Sequence, residues 1–269
     1  MAIKISNVRL ALAAALVAAS GAAQALTITP VTNPATAAST LFSAVLAPSS
    51  GITLQPGATY QGNTSTPQSG TYTGFTLAPS SGPTPTLVLP NGAFLTSGTV
   101  NIPMTNTANE YTVATGSGSN AQLTTLSGAS TNDANVITSS FTVAPGNNAV
   151  TATFVFGTDE FPTQTVTDIF GFFVDGVNYA RFPSGELISN TPGSPTNFIS
   201  NPVGAGLYPI EFNGLTQAFQ VTGLLDPSLS VHTIMIGIAD TSDTRFDSGV
   251  FIGGLQATVA TNGGGIGQP

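Results

Sequence analysis

The chain has 269 residues, no cysteine, one histidine and a formal net charge of −8 at pH 7. Without cysteine it has no disulfides and no thiolate metal sites, and one histidine excludes any zinc site that needs two imidazoles from one chain. Only four residues are basic, which disfavours binding to nucleic acids and to anionic membranes. A chain with 41% hydrophobic residues is also too apolar for a disordered protein.

The first 25 residues have the features of a secretory signal peptide. Lys4 and Arg9 form the basic region, residues 10–19 form the apolar region, and Ala-Gln-Ala at 23–25 fits the cleavage pattern. We therefore expect an exported protein whose mature chain begins at Leu26, with no lysine and no membrane-spanning segment. Removing the signal would leave two arginines against 12 acids.

Residues 26–260 predict a single all-β domain with one short helix near its N-terminus. Short β-prone runs alternate with clusters of Gly, Pro, Asn and Ser, and no internal repeat is apparent. Asn33 and Pro34 fit the N-cap and first position of a helix over 35–46. The pattern predicts a two-sheet antiparallel β-sandwich that is jelly-roll-like, with a closed barrel as the alternative. The glycine-rich residues 261–269 are expected to form a flexible tail.

Two stretches of the sequence are predicted to form buried strands at the centre of this sandwich. The runs Ile169–Val174 and 177–182 meet at an Asp-Gly pair, 175–176, which predicts a hairpin because both loop residues must adopt positive φ. Its phenylalanines are expected to lie in the core. Nearly every residue of 231–239 is apolar, which predicts a strand buried on both faces. In contrast, residues 101–132 are polar with little pattern and are expected to form long loops with at most one or two strands.

Six segments spread over nearly the whole mature chain carry a family resemblance. They are LTITPVTN at 26–33, GAFLTSG at 92–98, DANVITSSFTV at 133–143, FVFGTDEFP at 154–162, DIFGFFVDGVNYA at 168–180 and HTIMIGIADTSDTRFDSGVFIGGLQA at 232–257. Together they resemble the choice-of-anchor L domain of bacterial surface and exported proteins. The resemblance implies an extracellular domain, commonly attached to a cell surface through a C-terminal sorting signal. No such signal follows Ala257, so we expect a protein that is released, held by partners or built into a matrix.

The acids are concentrated in a chain with only 6% charged residues. They form two clusters, Asp159, Glu160, Asp168 and Asp175 in the first and Asp240, Asp243 and Asp247 in the second. Calcium binds six to eight oxygen ligands of this kind. If the preceding strands end on the same rim of the sandwich, one calcium ion could be held by Asp159, Glu160, Asp240, Asp243 and Asp247. The alternative is that these acids cap turns, pair with Arg245 and keep the protein soluble.

No catalytic constellation is apparent, and we expect no enzymatic activity. Asp159 and Glu160 would point to opposite faces of a strand. A glycosidase would also need a partner such as Asp168 or Asp247 and a sugar-stacking surface, for which this chain has no tryptophan. No nucleophile elbow is present. His232 lies within an apolar strand, which is more typical of a core or edge histidine than of a general base.

Three functions remain open, in decreasing order of support. The first is a secreted, non-enzymatic structural or adhesive protein of the cell surface or biofilm matrix, stabilised by calcium, whose partners are copies of itself or other surface proteins. The second is a calcium-dependent carbohydrate-binding module that binds extracellular polysaccharide, favoured if the long loop at 183–206 closes over the acidic rim. The third is a secreted hydrolase.

Overall fold

The structure, a computed structural model, describes residues 25–164, 167–189, 195–267 and 269. The signal-peptide prediction falls on residues 1–24, which lie outside the described residues. The described chain forms two antiparallel β-sheets that face each other as a sandwich. The predicted fold class is therefore confirmed.

The described residues form fifteen strands, two α-helices and one short 3-10 helix over Pro195–Asn197. The helices are α1 (Ala37–Val45) and α2 (Ala121–Ser127). The strands are β1 (Thr27–Pro30), β2 (Ile52–Leu54), β3 (Thr59–Gln61), β4 (Ser69–Leu77), β5 (Leu87–Thr96), β6 (Thr131–Val143), β7 (Ala149–Thr158), β8 (Ile169–Val174), β9 (Val177–Asn178), β10 (Ile199–Ser200), β11 (Gly214–Leu215), β12 (Phe219–Leu224), β13 (His232–Thr241), β14 (Ser248–Thr258) and β15 (Gly265–Gly267).

The strands are divided between a nine-stranded sheet I and a six-stranded sheet II. Sheet I has the order β1-β4-β5-β14-β7-β11-β10, and β12, which carries β15, also pairs with β7. Sheet II has the order β2-β6-β13-β8-β9, and β3 also pairs with β6. The strand β1 ends at Pro30 and lies at the edge of sheet I, where proline is tolerated because no ladder hydrogen bond is lost.

The largest hydrophobic cluster lies between the two sheets, and β8 and β13 of sheet II are buried on both faces. Phe170 and Phe172 of β8 join this inter-sheet core. Phe173 points the other way and packs in a second cluster with Leu123 of α2 and Met235 of β13. The predictions of a core aromatic run and of a doubly buried strand are therefore both confirmed.

The Asp-Gly hairpin is confirmed, although its second strand is short. Asp175 and Gly176 have φ of 49° and 81°. The strand β9 ends at Asn178 instead of continuing to residue 182, because the Asn178 Oδ1 accepts hydrogen bonds from the N–H groups of Phe172 and Ala180. Beside the turn, His232 Nδ1 lies 2.8 Å from Asp175 Oδ2, which agrees with a structural role for this histidine.

The predicted start of the first helix is wrong. The helix begins at Ala37, and Thr36 at its N-cap makes no side-chain capping bond. The Asn33 Oδ1 instead accepts a hydrogen bond from the Ala35 N–H, a local turn that competes with helix initiation.

The prediction that residues 101–132 contain only loops and strands is also wrong, because α2 lies there. Asn120 caps this helix by accepting hydrogen bonds from the N–H groups of Gln122 and Leu123. Gly128, with φ of 73°, ends it in the left-handed region.

Part of the expected C-terminal tail is a strand. The three residues of β15 pair with β12, and Val221 lies opposite Ile266. Ile266 packs against the inter-sheet core, so the single large apolar side chain of residues 261–269 determines where this stretch lies.

The core assignment predicts a large effect for one ring. Phe172→Ala should lower the free energy of unfolding by about 3–5 kcal/mol, because the ring is fully buried and leaves a cavity. Val177→Ala, at a position that is 54% exposed, is the control and should change it by no more than about 0.5 kcal/mol. Urea unfolding of both variants measures the difference, and equal effects would contradict the assignment.

Candidate functional site at the acidic end of the sandwich

Three connections between the sheets lie at the same end of the sandwich: 97–130, the described residues of 159–168 (all but 165 and 166), and 242–247. Because β7 and β14 are antiparallel, the end of one lies beside the start of the other, with Thr158 opposite Ser248. In sheet II, the end of β13 lies beside the start of β8, with Ala239 opposite Ile169. The two acid clusters of the sequence therefore meet at this end, except for Asp175, which lies at the hairpin turn beside His232.

Seven of the 12 acidic residues of the chain are buried there or beside it, each no more than 2% exposed. These seven are Asp133, Asp159, Glu160, Asp168, Glu211, Asp240 and Asp247. The two arginines of the described chain lie on the surface, where Arg245 pairs with the exposed Glu110 and Arg181 bonds the Gly185 carbonyl. The expectation that Arg245 pairs with the acid clusters through its side chain is therefore wrong.

An irregular segment, residues 106–116, crosses this end, and we call it the strap. Its backbone N–H groups donate to four of the buried acids at 2.6–3.2 Å. The pairs are Thr107 and Ala108 with Glu211, Tyr111 with Asp159, Val113 with Asp247, and Thr115 and Gly116 with Asp133. These hydrogen bonds hold a segment that has no hydrophobic pattern of its own.

Behind the strap lie four acids that we call the inner acids: Glu160, Asp168, Asp240 and Asp247. Both carboxylate oxygens of Asp240, together with Oδ1 of Asp168 and of Asp247, are buried without a hydrogen-bond partner. Glu160 Oε2 accepts the Asp168 N–H at 2.5 Å. The Ser97 Oγ lies 3.5 Å from Asp168 Oδ2, at the limit of a hydrogen bond. The inner acids thus leave four buried oxygens unsatisfied.

The space for one inner acid depends on a neighbouring glycine. A Cβ at Gly98 would lie 1.7 Å from Asp247 Oδ2, so any side chain at position 98 would displace this carboxylate. The carboxylate fills the place that a side chain would take, and its Oδ2 accepts the Val113 N–H at 2.8 Å.

Burial is the largest cause of the raised pKa values of five acids at this end, Asp159, Glu160, Asp168, Asp240 and Asp247. It raises the pKa of Asp159 to about 8, of Glu160 and Asp247 to about 9 and of Asp240 to about 7. Burial raises the pKa of Asp168 well above its usual range, and the charges of Glu160 and Asp240 raise it further. Side-chain hydrogen bonding from Ser97 and Asp168 partly lowers the pKa of Asp240, although these contacts fall outside ordinary hydrogen-bond geometry.

The five predicted calcium ligands do not all lie in one place. Glu160, Asp240 and Asp247 belong to the inner acids. Asp159 is buried, but its two oxygens accept the N–H groups of Tyr111 and Asn213. Asp243 is exposed, and its Oδ1 accepts the Arg245 N–H within a turn. Among the described residues, no group of three or more acidic or histidine side chains is arranged to hold a metal ion. The calcium site stays a prediction.

The sequence analysis missed two of the buried acids. Glu211 stands between Ile210 and Phe212, which are both buried, and a lone acid in such a run was a usable signal. Asp133 lies near the start of β6, and the sequence analysis did not place it with the other acids. Its role depends on Thr115 and Gly116, which no local pattern connects to it.

A cleft of about 420 Å³ opens beside the acidic end. Its polar lining includes Asn109, Glu110, Asp159 and Asn213, and the ring of Phe161 forms part of its wall. Ser200, Pro202 and Val203 from the long loop at 183–206 also line it. The described part of that loop therefore reaches the acidic end.

The model of the choice-of-anchor L domain matches residues 30–256, most of the chain. The chain belongs to the choice-of-anchor L family. This membership confirms the resemblance seen in the sequence and indicates an exported or cell-surface protein of bacteria. No curated protein and no solved structure matches the chain. Of the helices in the described choice-of-anchor L chain, none is long and apolar enough to cross a membrane.

The raised pKa values predict that the metal-free protein loses stability as the pH rises. Unfolded carboxyl groups have pKa values near about 4, whereas four of these groups have folded values of about 7 to about 9. Between these values the folded state holds more protons, so raising the pH favours unfolding. In chelator, the melting temperature should fall from about pH 5 to about pH 9 and then level off. A melting temperature that rises over this range would contradict the assignment.

The strap contacts predict a cost for neutralising Glu211. Glu211→Gln should lower the free energy of unfolding by about 1–3 kcal/mol, because the amide offers a donor where Thr107 and Ala108 need an acceptor. Proteolytic cleavage within the strap should also become faster. The exposed Glu186→Gln is the control. Unchanged unfolding and unchanged cleavage in Glu211→Gln would show that the strap does not depend on this acid.

Proposed function

We propose that this protein is a secreted, non-enzymatic structural or adhesive protein of the bacterial surface or extracellular matrix, which associates with itself or with other surface proteins and is stabilised by calcium. Family membership supplies the surface location. The observation that carries the proposed structural role is that seven of the 12 acidic residues are buried at or beside the acidic end, where the chain crosses between the sheets.

The positions of these acids favour a structural role over hydrolysis. A glycosidase needs two carboxyl groups facing a bound sugar at a defined separation. Four buried acids here accept backbone N–H groups from the strap, and the inner acids lie behind it. Of these buried acids in the described chain, Asp159 is the one that lines the neighbouring cleft. Both of its carboxyl oxygens already accept hydrogen bonds from backbone N–H groups.

The calcium part of the proposal is supported by the energetic cost of burying these carboxylates. Buried carboxylates without a countercharge destabilise a fold unless they are protonated or bind a cation. An exported protein is in contact with calcium at concentrations that suit oxygen-rich extracellular sites. A cation at the acidic end would therefore stabilise the crossings between the two sheets.

A carbohydrate-binding module is the second candidate, and one observation favours it. The loop at 183–206 contributes Ser200 and Pro202 to the cleft beside Asp159. The exposed side-chain amide of Asn109 can bind a sugar hydroxyl, and the ring of Phe161 beside it can contact a sugar face.

Light scattering on size-separated protein starting at Leu26, with calcium and after chelation, tests the proposal. We expect assemblies that grow with protein concentration in calcium and become smaller after chelation, because loss of the ion loosens the acidic end. A monomer in both conditions would overturn self-association. If that monomer binds glycans only in calcium, the carbohydrate-binding alternative replaces the proposal.

A further inference from the structure

We propose that one Ca²⁺ binds inside the sandwich, behind the strap, and is coordinated by the inner acids Glu160, Asp168, Asp240 and Asp247 together with the Ser97 hydroxyl. The inference rests on the calcium part of the proposed function and specifies its site. It differs from the sequence-based set in two respects. Asp168 and Ser97 are added, and Asp159 and Asp243 are removed.

The unsatisfied oxygens carry this inference. Asp240 is fully buried, and neither of its carboxylate oxygens has a hydrogen-bond partner. One oxygen of Asp168 and one of Asp247 are in the same state. A buried acceptor without a donor is strongly destabilising, and proteins rarely leave such groups unpaired. Four such oxygens in one cluster indicate that a cation binds there.

Within the described residues, no arginine, lysine or histidine side chain bonds these oxygens. The arginines of the described chain are Arg181 and Arg245, whose side chains bond Gly185 and Glu110 at the surface. His232 pairs with Asp175 beside the hairpin turn. The chain that follows the signal peptide has no lysine. A hard divalent cation that binds only oxygen, with flexible geometry, matches the groups that remain.

The removed residues already have other partners. Both oxygens of Asp159 accept backbone N–H groups, as do both oxygens of Asp133. Asp243 is exposed and caps a turn. These acids add negative charge around the site without entering it.

Backbone donors offset part of the excess negative charge of the four inner acids. The Val113 N–H bonds Asp247 Oδ2, and the Asp168 N–H bonds Glu160 Oε2. In the described structure the inner acids are not arranged around one point, so the unpartnered oxygens of Asp168, Asp240 and Asp247 have to turn towards a common point to coordinate an ion. Glycine at position 98 leaves the room that the Asp247 carboxylate occupies.

The proposed ion would join the three connections described above for the acidic end, 97–130, 159–168 and 242–247. Ser97 follows β5, Glu160 and Asp168 lie between β7 and β8, and Asp240 and Asp247 flank the connection from β13 to β14. Its ligands thus come from segments far apart in the chain, so binding requires the folded sandwich. Such an ion stabilises the folded state by mass action.

Native mass spectrometry and thermal unfolding, with calcium alone as the probe, test the site. We expect one bound calcium per chain, and a rise in melting temperature on the order of 5 °C at saturating calcium relative to chelator. Magnesium, which demands smaller octahedral geometry, should have a smaller effect.

Two matched substitutions identify the ligands. Asp240→Asn should abolish calcium binding and the calcium-induced rise in melting temperature. In chelator the same variant should melt at a higher temperature than the wild type, because it removes repulsion among the inner acids. Asp243→Asn is the control and should retain the bound ion and the full rise.

Several outcomes would overturn the inference. They are no bound calcium in the wild type, a wild-type melting temperature that calcium does not change, and loss of the ion in Asp243→Asn but not in Asp240→Asn. If Asp240→Asn does not fold, Ser97→Ala replaces it, with at least a tenfold loss of calcium affinity expected. A monomeric wild type that still binds calcium through Asp240 would overturn only the self-association of the proposed function, so the two failures are distinguishable.

Discussion

The interaction on which this structure most depends is the stabilisation of buried negative charge at one end of the sandwich. A carboxylate taken out of water has to be compensated by hydrogen-bond donors, a cation or a proton. The chain uses the first of these for Asp133, Asp159 and Glu211, through the backbone amides of the strap. Asp240, by contrast, accepts no backbone N–H group and no hydrogen bond of ordinary geometry within the described chain.

This division also explains how a polar segment acquires a defined position. The strap has neither regular secondary structure nor an apolar pattern, and its amide groups would be unpaired if it merely lay on the sheets. Acids from distant parts of the chain accept hydrogen bonds from those amide N–H groups, so the strap and the sheet crossings stabilise one another. The surface beside the cleft is built from the same segments, so a partner that binds there would also stabilise the strap and the sheet crossings.

The choice-of-anchor L chain shows how far a sequence pattern extends into three dimensions. The hairpin at 175–176, the doubly buried strand through Ile236 and the edge strand at Pro30 follow from local rules of turn chemistry, apolar runs and proline placement. The short helix α2 was missed because tertiary contacts of Leu123 with Phe173 and Met235 stabilise it. Seven residues seldom form a helix without such packing.

The sequence by itself determined the fold class, the family and the two acid clusters, because strand periodicity, turn residues and motif order are local properties. Only the tertiary structure decided which acids are buried together, since that depends on antiparallel pairing placing Thr158 beside Ser248 and Ala239 beside Ile169. In the tertiary structure Asp243 is exposed, although the sequence groups it with Asp240 and Asp247, which are buried among the inner acids. Position along the chain does not determine burial, and burial is what changes the chemistry of a carboxylate.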